Sequence, residues 1–345
     1  MDSKEFFIPR LGEAQIASPV QAMEFVPDDA TVAYDTSTAV LEEYVKNGQA
    51  IPAFEQAGPR KLIYHDPAWS KAAILTAGGL CPGLNDVIKF LTLTLKNIYH
   101  VPLVYGIRYG YRGLNPAHGL APIQLNEDNT DDIHQQGGTI LGSSRGEESA
   151  EIMVETLARM NINLVFCIGG DGTARGAHDI AVEAERRGLS ISVISIPKTI
   201  DNDIAFIDKS FGFETAVYMA GIFAAGAHNE AKGAYNGIGL VKVMGRDSGF
   251  IAAYATLAQS YVNYCLVPES KFVLDGDGPD ALLPHLYKRM LEKQHAVIMV
   301  AEGAGQELFP QGEDVRDASG NLINKDIGLL LKDRINQYFK ERNTE

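Results

Sequence analysis

Short apolar runs alternate with longer amphipathic stretches along the chain from Lys71 onward. The apolar runs predict buried strands at Ala72–Thr76, Val101–Ile107, Leu164–Ile168, Ile191–Ile196, Gly239–Val243, Tyr264–Val267 and Ala296–Ala301. The stretches between them have helical spacing and predict helices near Asn85–Ile98, Ala174–Arg187, Glu214–Lys232, Phe250–Gln259, Ala281–Glu292 and Ile327–Arg342. Because apolar strands that are each followed by a helix are typical of parallel sheets covered on both faces, the pattern predicts an α/β fold with mainly parallel sheets.

Residues 1–70 have a different pattern, rich in Pro, Asp and Glu and without a long period. We interpret them as an N-terminal arm that wraps the body; a loosely attached, partly disordered tail is the alternative. In the rest of the chain, the first series of strands and helices ends near Thr199–Asp203. A chain of 345 residues is long enough for two domains, which we place at residues 71–203 and 204–345.

The composition excludes several classes of function. The formal net charge of −14 argues against nucleic acid or an anionic membrane surface as the main partner. No run approaches the roughly 18 apolar residues of a spanning helix, and the first residues lack the basic and apolar regions of a secretory signal. Cys81, Cys167 and Cys265 lie far apart without a CxxC pair, which is typical of reduced thiols in a cytoplasmic protein.

Glycine-rich turns follow most of the predicted strands, and ligands of open α/β sheets bind at the carboxyl ends of strands. In the turn Thr76–Asn85, the adjacent Gly78 and Gly79 would let backbone amides approach a phosphate just before a helix begins. Such a turn can also serve only to connect a strand tightly to a helix. Both interpretations stay open for this turn.

The turn Gly169–Thr173 places Asp171 between glycines at the end of a buried strand. A carboxylate there can hold Mg²⁺ bound to nucleotide phosphates, and Gly172 has no Cβ, so a phosphate can lie against its backbone. Alternatively, Asp171 only caps the next helix. Because capping alone does not require glycine on both sides, we favour the binding role.

Two carboxylates, Asp201 and Asp203, follow the strand that ends at Ile196. They point the same way if the segment is extended. One acid could then accept the proton of an attacking hydroxyl, while the other orients Lys198 or a metal-bound water, and the lysine charge suits phosphoryl transfer. The alternative is a polar turn with solvated acids.

Two further strand ends carry charged residues. Arg246 follows an apolar run, and its fork of donors can bind a phosphate. We assign to Asp247 and Ser248 the capping of the next helix. Glu302 follows the last predicted strand and either accepts hydrogen bonds from sugar hydroxyls or has a structural role.

Arg145 lies in the small-residue loop Gly142–Gly146, which suits a phosphate. Tyr111 could stack on a nucleotide base, although we favour a place in the core. The sequence contains neither a Gly-x-x-x-x-Gly-Lys-Ser/Thr phosphate loop nor a histidine spacing typical of metal sites.

Together these turns resemble those of the phosphofructokinase family. The resemblance runs from about Phe54 to Gln306, with motifs in family order: GGLCPGLN, RYGYRGL, LGSSRG, GGDGT, PKTIDND, GFETA, VKVMGRDSGFIA and AEGAGQ. The N-terminal arm is similar to that of the plant and trypanosomatid-type ATP enzymes. The resemblance implies two Rossmann-like three-layer domains, an ATP-binding one at 71–203 and a sugar-phosphate-binding one at 204–345, that phosphorylate fructose 6-phosphate on its 1-hydroxyl with Mg²⁺ and ATP.

The resemblance also implies roles for individual residues. The nucleotide would contact Gly79, Arg145, Gly146, Gly170, Gly172 and Thr173, and Asp171 would hold Mg²⁺. Fructose 6-phosphate would contact Thr199, Ile200, Asp201, Met244, Gly245, Arg246 and Glu302. Asp201 would be the catalytic base, assisted by Lys198 and Arg246.

Two positions distinguish the phosphoryl donors in this family. An aspartate in place of Gly172 goes with pyrophosphate, because it intrudes on the α-phosphate site, so glycine favours ATP here. Lys198 replaces a glycine of the common bacterial ATP enzymes and is shared with pyrophosphate users, so a pyrophosphate-dependent enzyme is an alternative. A catalytically silent regulatory subunit is another. Kinases acting on NAD or lipids share GGDGT, but PKTIDND and MGRDSG argue against them.

In the family, the chain beyond AEGAGQ supplies basic residues for the 6-phosphate, whereas this sequence ends at Glu345 without such a motif. We therefore expect the sugar-phosphate domain to lack its usual C-terminal part and its substrate affinity to suffer. The resemblance further implies a cytoplasmic, allosteric enzyme that forms a homo-oligomer, a dimer or tetramer, since family active sites borrow residues across subunits.

Overall fold

The computed structural model describes residues 6–21, 24–310, 315–316 and 322–342. The chain divides into two compact units, of which unit 1 comprises Met1–Gly79 and Leu84–Ile196, and unit 2 comprises Leu80–Gly83 and Pro197–Glu345. The division thus falls before Pro197, whereas the sequence pattern placed it after Asp203. The N–H of Thr199 donates to the hydroxyl of Ser210 at 3.0 Å, which ties this segment to unit 2.

Unit 1 contains most of the strands. They are β1 (Ile16–Ala17), β2 (Thr31–Ala33), β3 (Ala53–Glu55), β4 (Leu62–Ile63), β5 (Lys71–Thr76), β6 (Leu103–Ile107), β7 (Ile123–Leu125), β8 (Leu164–Gly169) and β9 (Ser192–Pro197), the last of which ends in unit 2. Its helices are α1 (Thr38–Lys46), α2 (Leu84–Leu93), α3 (Glu127–Thr130), α4 (Ala150–Arg159) and α5 (Asp171–Arg186). A π-helical turn, Thr94–Ile98, continues α2.

The main sheet of unit 1 has the strand order β7-β6-β5-β8-β9. The central strand β5 pairs in parallel with β6 and β8, and β7 lies antiparallel to β6 at the edge. Residues 72–76 of β5 are all buried. A strand that is covered on both faces has no solvent side, which explains why the sequence is a continuous apolar run there.

Helices α4 and α5 pack on one face of this sheet, with Leu157 and Ile180 in one core with Leu75 and Val165. Helix α4 was not among the predicted helices. Its buried residues Met153, Val154 and Leu157 do have helical spacing, so the signal was present in the sequence.

The N-terminal segment forms small antiparallel pairs, β1 with β4 and β2 with β3. Helix α1 has no buried residue. The end of the segment is bonded to the body of unit 1, because Tyr64 Oη lies 3.3 Å from Ser190 Oγ and His65 Nε2 lies 3.0 Å from Ser192 Oγ.

Unit 2 contains β10 (Gly237–Val243), β11 (Tyr264–Leu266) and β12 (His295–Ala301), with α6 (Phe213–Gly233), α7 (Phe250–Ala258), α8 (Leu282–Lys293) and α9 (Ile327–Glu341). Strand β12 is central and parallel to both neighbours. Ile298 and Val300 of β12 pack in a core with α8 and α9. Met299 and Ala301 pack in a core with α6 and α7 on the other face. This three-layer arrangement confirms the predicted α/β class.

Cys81, Cys167 and Cys265 are free thiols, as predicted. In the part of the chain that the structure describes, no helix is long and apolar enough to cross a membrane.

Candidate active site

In unit 1, three glycine-containing turns meet at one edge of the main sheet. Thr76 of β5 lies opposite Ile168 of β8 in the parallel register, so the turns after these strands leave the sheet side by side. The N–H of Gly78 donates to the carbonyl oxygen of Ser144 at 3.1 Å, and the hydroxyl of Ser143 donates to the carbonyl oxygen of Gly78 at 2.6 Å. These bonds bring the Arg145 loop to the same edge.

Arg145 lies beside the turn that follows β5. A Cβ on Gly79 would be 4.0 Å from Nη2 of Arg145. Gly146 has a φ of +108°, and beyond its chain neighbours a Cβ there would meet no atom of the described residues within 4 Å. The arginine is exposed next to open backbone, so its guanidinium and nearby amides can contact one anion together.

Helix α5 begins at Asp171, and its N-cap residue is Gly170, with no side-chain cap. The alternative that Asp171 only caps the helix is therefore wrong. The first N–H groups of an α-helix have no acceptor inside the helix and favour anions. Outside the backbone of this helix, Nη2 of Arg175 is the nearest described atom to a Cβ on Gly172, at 3.8 Å, so there is space for a ligand at this terminus.

Tyr111 belongs to the core of unit 1, as we favoured, and is 7% exposed. Its hydroxyl donates to the carbonyl oxygen of Thr173 at 2.6 Å, and its ring occupies the space that a side chain at Gly176 would need. Burial raises the pKa of Tyr111, so the hydroxyl remains a donor at neutral pH. The base-stacking hypothesis for this residue is wrong; it supports the start of α5 instead.

Among the described residues, no group of three or more His, Cys, Asp or Glu side chains could hold a metal ion by itself. An exposed carboxylate at Asp171, beside an open helix terminus, fits Mg²⁺, which takes its other ligands from phosphates and water.

In unit 2, the carboxylate of Asp201 is partly buried and one of its oxygens is unpartnered among the described residues. Its Oδ2 accepts the main-chain N–H of Arg246 at 3.4 Å, while Oδ1 is buried and has no hydrogen-bond partner among the described residues. Burial raises the pKa of Asp201 above its ordinary value; the N–H of Arg246 opposes this shift, and the negative charges of Asp203 and Glu302 add to it. The side chain is thus a stronger base than a solvated aspartate.

The segment that carries Asp201 turns, so the condition under which Asp201 and Asp203 would point the same way, an extended segment, is not met. Asn202 has a φ of +58°, and its side chain bonds to the main chain of Asp208 and Ser210 at 3.0 and 2.7 Å. Asparagine tolerates this left-handed conformation. The hydroxyl of Thr199 donates to Asp203 at 2.6 Å, so the second acid is close to the first because the chain turns.

Lys198 is 6% exposed and lies close to Cys81. Burial raises the pKa of Cys81 to about 11; the positive charge of Lys198 opposes this shift and the negative charge of Asp201 adds to it. The thiol donates to the carbonyl oxygen of Phe211 at 3.0 Å. Local spacing in the sequence does not reveal that this cysteine lies near the lysine and the aspartate.

The ends of β10 and β12 bring more of the predicted residues together. The N–H of Glu302 donates to Val243, and that of Gly303 donates to Gly245, each at 2.9 Å. A Cβ on Gly303 would lie 1.7 Å from the carbonyl oxygen of Arg246, so the position requires glycine. The arginine turn and the glutamate are therefore neighbours in unit 2.

The last two predicted contact residues differ in their surroundings. Met244 is 48% exposed at the same turn. Ile200 is partly buried and packs against the core formed with α6 and α7.

Sequence reasoning assigned Ser248 and Asp247 to capping, and this is wrong. The N-cap residue of α7 is Gly249, whose N–H donates to Glu269 at 2.8 Å. The hydroxyl of Ser248 donates to the carbonyl oxygen of Asp201 at 2.9 Å, and the serine is 5% exposed. Neither partner could be found from local spacing, because Glu269 lies 20 residues from its glycine and Ser248 lies 47 residues from Asp201.

Known proteins with similar sequences or folds are consistent with the α/β fold described above. Residues 71–343 match the family model described as phosphofructokinase. The chain is 56% identical over 297 residues to the ATP-dependent 6-phosphofructokinase of Borreliella burgdorferi, covering 84% of this chain and 66% of that protein. It is 45% identical over 340 residues to the one of Amycolatopsis methanolica, covering 94% and 73%. The chain belongs to the phosphofructokinase family.

The ATP-dependent 6-phosphofructokinase of Trypanosoma brucei brucei is 46% identical over 286 residues, which are 83% of this chain and 58% of that protein. This chain thus spans between 58% and 73% of the lengths of these three relatives. Among solved structures, the pyrophosphate-dependent phosphofructokinase from Marinobacter aquaeolei has a TM-score of 0.64 at 23% identity, covering 77% of this chain and 65% of that one. This likeness shows the fold.

Proposed function

We propose that the protein transfers the γ-phosphoryl group of ATP to the 1-hydroxyl of fructose 6-phosphate. The observation that carries the proposal is the carboxylate of Asp201, which is half-buried, has a raised pKa and keeps one oxygen without a hydrogen bond among the described residues. The choice of ATP as donor and fructose 6-phosphate as acceptor follows the names of relatives called ATP-dependent 6-phosphofructokinases.

In the proposed reaction, Asp201 accepts the proton of the 1-hydroxyl while the oxygen of that hydroxyl forms a bond to the γ-phosphorus. The bond between the γ-phosphorus and the bridging oxygen breaks, ADP leaves, and Asp201 later releases the proton to water. Arg246 contributes positive charge near this aspartate, and Lys198, like Asp201, lies near Cys81. Both cations would stabilise negative charge as it develops. Thr199, Met244 and Glu302 would contact the sugar phosphate.

Unit 1 would bind the nucleotide through the Arg145 guanidinium, the amides near Gly79 and the N-terminus of α5. Asp171 would hold Mg²⁺, which neutralises phosphate charge when bound. This local arrangement matters because the formal net charge of −14 repels both anionic substrates.

ATP is the proposed donor. The space at Gly172 supports it, since the nearest described atom to a Cβ at that position, outside the helix backbone, is Nη2 of Arg175 at 3.8 Å. The names of the relatives support it as well.

The test is to assay fructose 1,6-bisphosphate formation by the purified protein with fructose 6-phosphate, Mg²⁺ and either ATP or pyrophosphate. Product with ATP alone is expected. Product formed with pyrophosphate but not with ATP would show that ATP is not the donor. No product with either donor would favour a silent regulatory subunit. A homo-oligomer and a cytoplasmic location stay predictions from the family resemblance; light scattering after gel filtration measures the first.

A further inference from the structure

The loop that carries Arg145 is anchored on its N-terminal side by two serines. The hydroxyl of Ser143 donates to the carbonyl oxygen of Gly78 at 2.6 Å. The hydroxyl of Ser144 donates to the carbonyl oxygen of Tyr109 at 2.6 Å. These bonds attach the loop to the turn after β5 and to the chain after β6.

On its C-terminal side the loop is anchored by Glu148, a residue to which neither the family resemblance nor the proposed function assigns a role. Its Oε2 accepts a hydrogen bond from the side-chain amide of Asn115 at 2.6 Å, and its Oε1 lies 2.7 Å from Nε2 of His118. The Glu148 side chain is only 11% exposed. The residues between the anchors, 145–147, are all exposed.

The partners of Glu148 are themselves held in place. The side-chain oxygen of Asn115 accepts the N–H of Ala117 at 3.0 Å and so starts the 3₁₀ turn Pro116–His118, which carries the histidine. Burial alone would raise the pKa of Glu148, but hydrogen bonds from Asn115 and His118 lower this pKa below its ordinary value. The carboxylate is therefore ionised at neutral pH and makes strong, charge-assisted hydrogen bonds.

We propose that Glu148 is a positioning residue for nucleotide binding, because its bonds to Asn115 and His118 fix the C-terminal end of the loop that presents Arg145 to phosphate. The inference rests on the proposed nucleotide site in unit 1. A loop held only by Ser143 and Ser144 would have to be ordered by the nucleotide itself, and ordering a loop weakens binding.

The primary test is the dissociation constant of Mg²⁺·ATP for the Glu148→Ala variant, measured by isothermal titration calorimetry. Binding about tenfold weaker than in the unaltered protein is expected, because two hydrogen bonds to a charged group are lost. The KM for ATP should rise by a similar factor, while kcat at saturating ATP stays within about twofold, since the variant still reaches the same transition state. Glu147→Ala is the matched control, because it removes the same charge from an exposed neighbour.

Two further variants separate positioning from a general loss of stability. Glu148→Gln keeps an oxygen that can accept from Asn115 and should recover part of the affinity. His118→Ala should weaken binding, and the double variant with Glu148→Ala should be no weaker than Glu148→Ala alone, because both changes break the same link. If Glu148→Ala does not fold, Glu148→Gln and His118→Ala carry the test.

Arg145→Ala distinguishes failure of this inference from failure of the proposed site. If Arg145→Ala weakens binding while Glu148→Ala and His118→Ala match Glu147→Ala, the positioning role is wrong and the nucleotide site stands. If Arg145→Ala binds Mg²⁺·ATP as tightly as the unaltered protein, the nucleotide site is wrong and the role of Glu148 is lost with it.

Discussion

Ser248 holds the backbone of Asp201 through a hydrogen bond of 2.9 Å from its hydroxyl to the aspartate carbonyl oxygen. Among the described residues, the carboxylate of Asp201 accepts a single long hydrogen bond, of 3.4 Å, from the N–H of Arg246. The serine therefore fixes where the carboxylate lies without occupying the oxygen that must accept a proton. This division explains how a proposed base can be held firmly and still be reactive.

The Ser248→Ala variant should lower kcat by about tenfold, because a displaced base loses alignment with the attacking hydroxyl. The KM for fructose 6-phosphate should change little, since no contact with the sugar is removed. Steady-state kinetics measure both, and Asp247→Ala, an exposed neighbour, is the control. Equal kcat values in the two variants would contradict the positioning role of Ser248.

The Asp201→Asn variant should lower kcat by about 10²–10⁴-fold, the usual effect of losing a general base. A coupled assay of fructose 1,6-bisphosphate measures the rate. A rate equal to that of the unaltered protein would remove Asp201 from the role of base.

The pH profile should show the raised pKa of Asp201. A base must be ionised, so kcat/KM should fall as the pH drops through the raised pKa, at a pH above the ordinary aspartate value of 3.8. Asp203→Asn removes a negative charge that adds to the shift, so its acid limb should move to lower pH. An acid limb that stays in place would show that Asp203 does not act on the base.

Replacing Gly172 should separate the two phosphoryl donors. Beyond the backbone of its own helix, the nearest described atom to a Cβ at this position is Nη2 of Arg175 at 3.8 Å, so Gly172→Ala should fold and keep most of its ATP affinity. Gly172→Asp adds volume and negative charge beside the proposed phosphate site and should raise the KM for ATP at least about tenfold. Kinetics with both donors measure the change. If Gly172→Asp keeps the KM for ATP of the unaltered protein, the nucleotide phosphates do not lie there.

His228 should make the stability of unit 2 sensitive to acid. Its ring stacks on Tyr261 with centroids 4.9 Å apart and faces His295 at 5.4 Å. Burial lowers the pKa of His228, and the charges of His295 and Lys232 lower it further. The neutral form of His228 therefore stabilises the folded state above pH 6.5, the ordinary pKa of histidine. This stabilisation is lost as the pH falls from 6.5 through the lowered pKa of His228.

Thermal unfolding followed by circular dichroism tests this sign. The unaltered protein should lose more of its Tm between pH 7 and pH 5 than His228→Phe, which keeps an aromatic ring but cannot be protonated. His178→Gln, at an exposed position of α5, is the control. An equal loss of Tm in His228→Phe and the unaltered protein would contradict the prediction.

The ends of β5, β8 and β12 could be predicted from the sequence because each of these strands is a mostly apolar run that stops at a glycine-rich turn. The fold class and the candidate turns followed from that pattern. What could not be predicted are contacts between residues distant in sequence. Glu269 accepts a hydrogen bond from the N-cap residue of α7 from beyond β11, and Tyr111 enters the core because Gly176 leaves space for its ring. Such contacts depend on tertiary packing, which local periodicity does not encode.

The most direct test of the account is a crystal structure with fructose 6-phosphate, Mg²⁺ and a non-hydrolysable ATP analogue bound. In that structure a carboxylate oxygen of Asp201 should lie about 2.6–3.2 Å from the 1-oxygen of the sugar, within hydrogen-bond reach. A sugar bound with its 1-hydroxyl against a different carboxylate, or outside the reach of any, would contradict it.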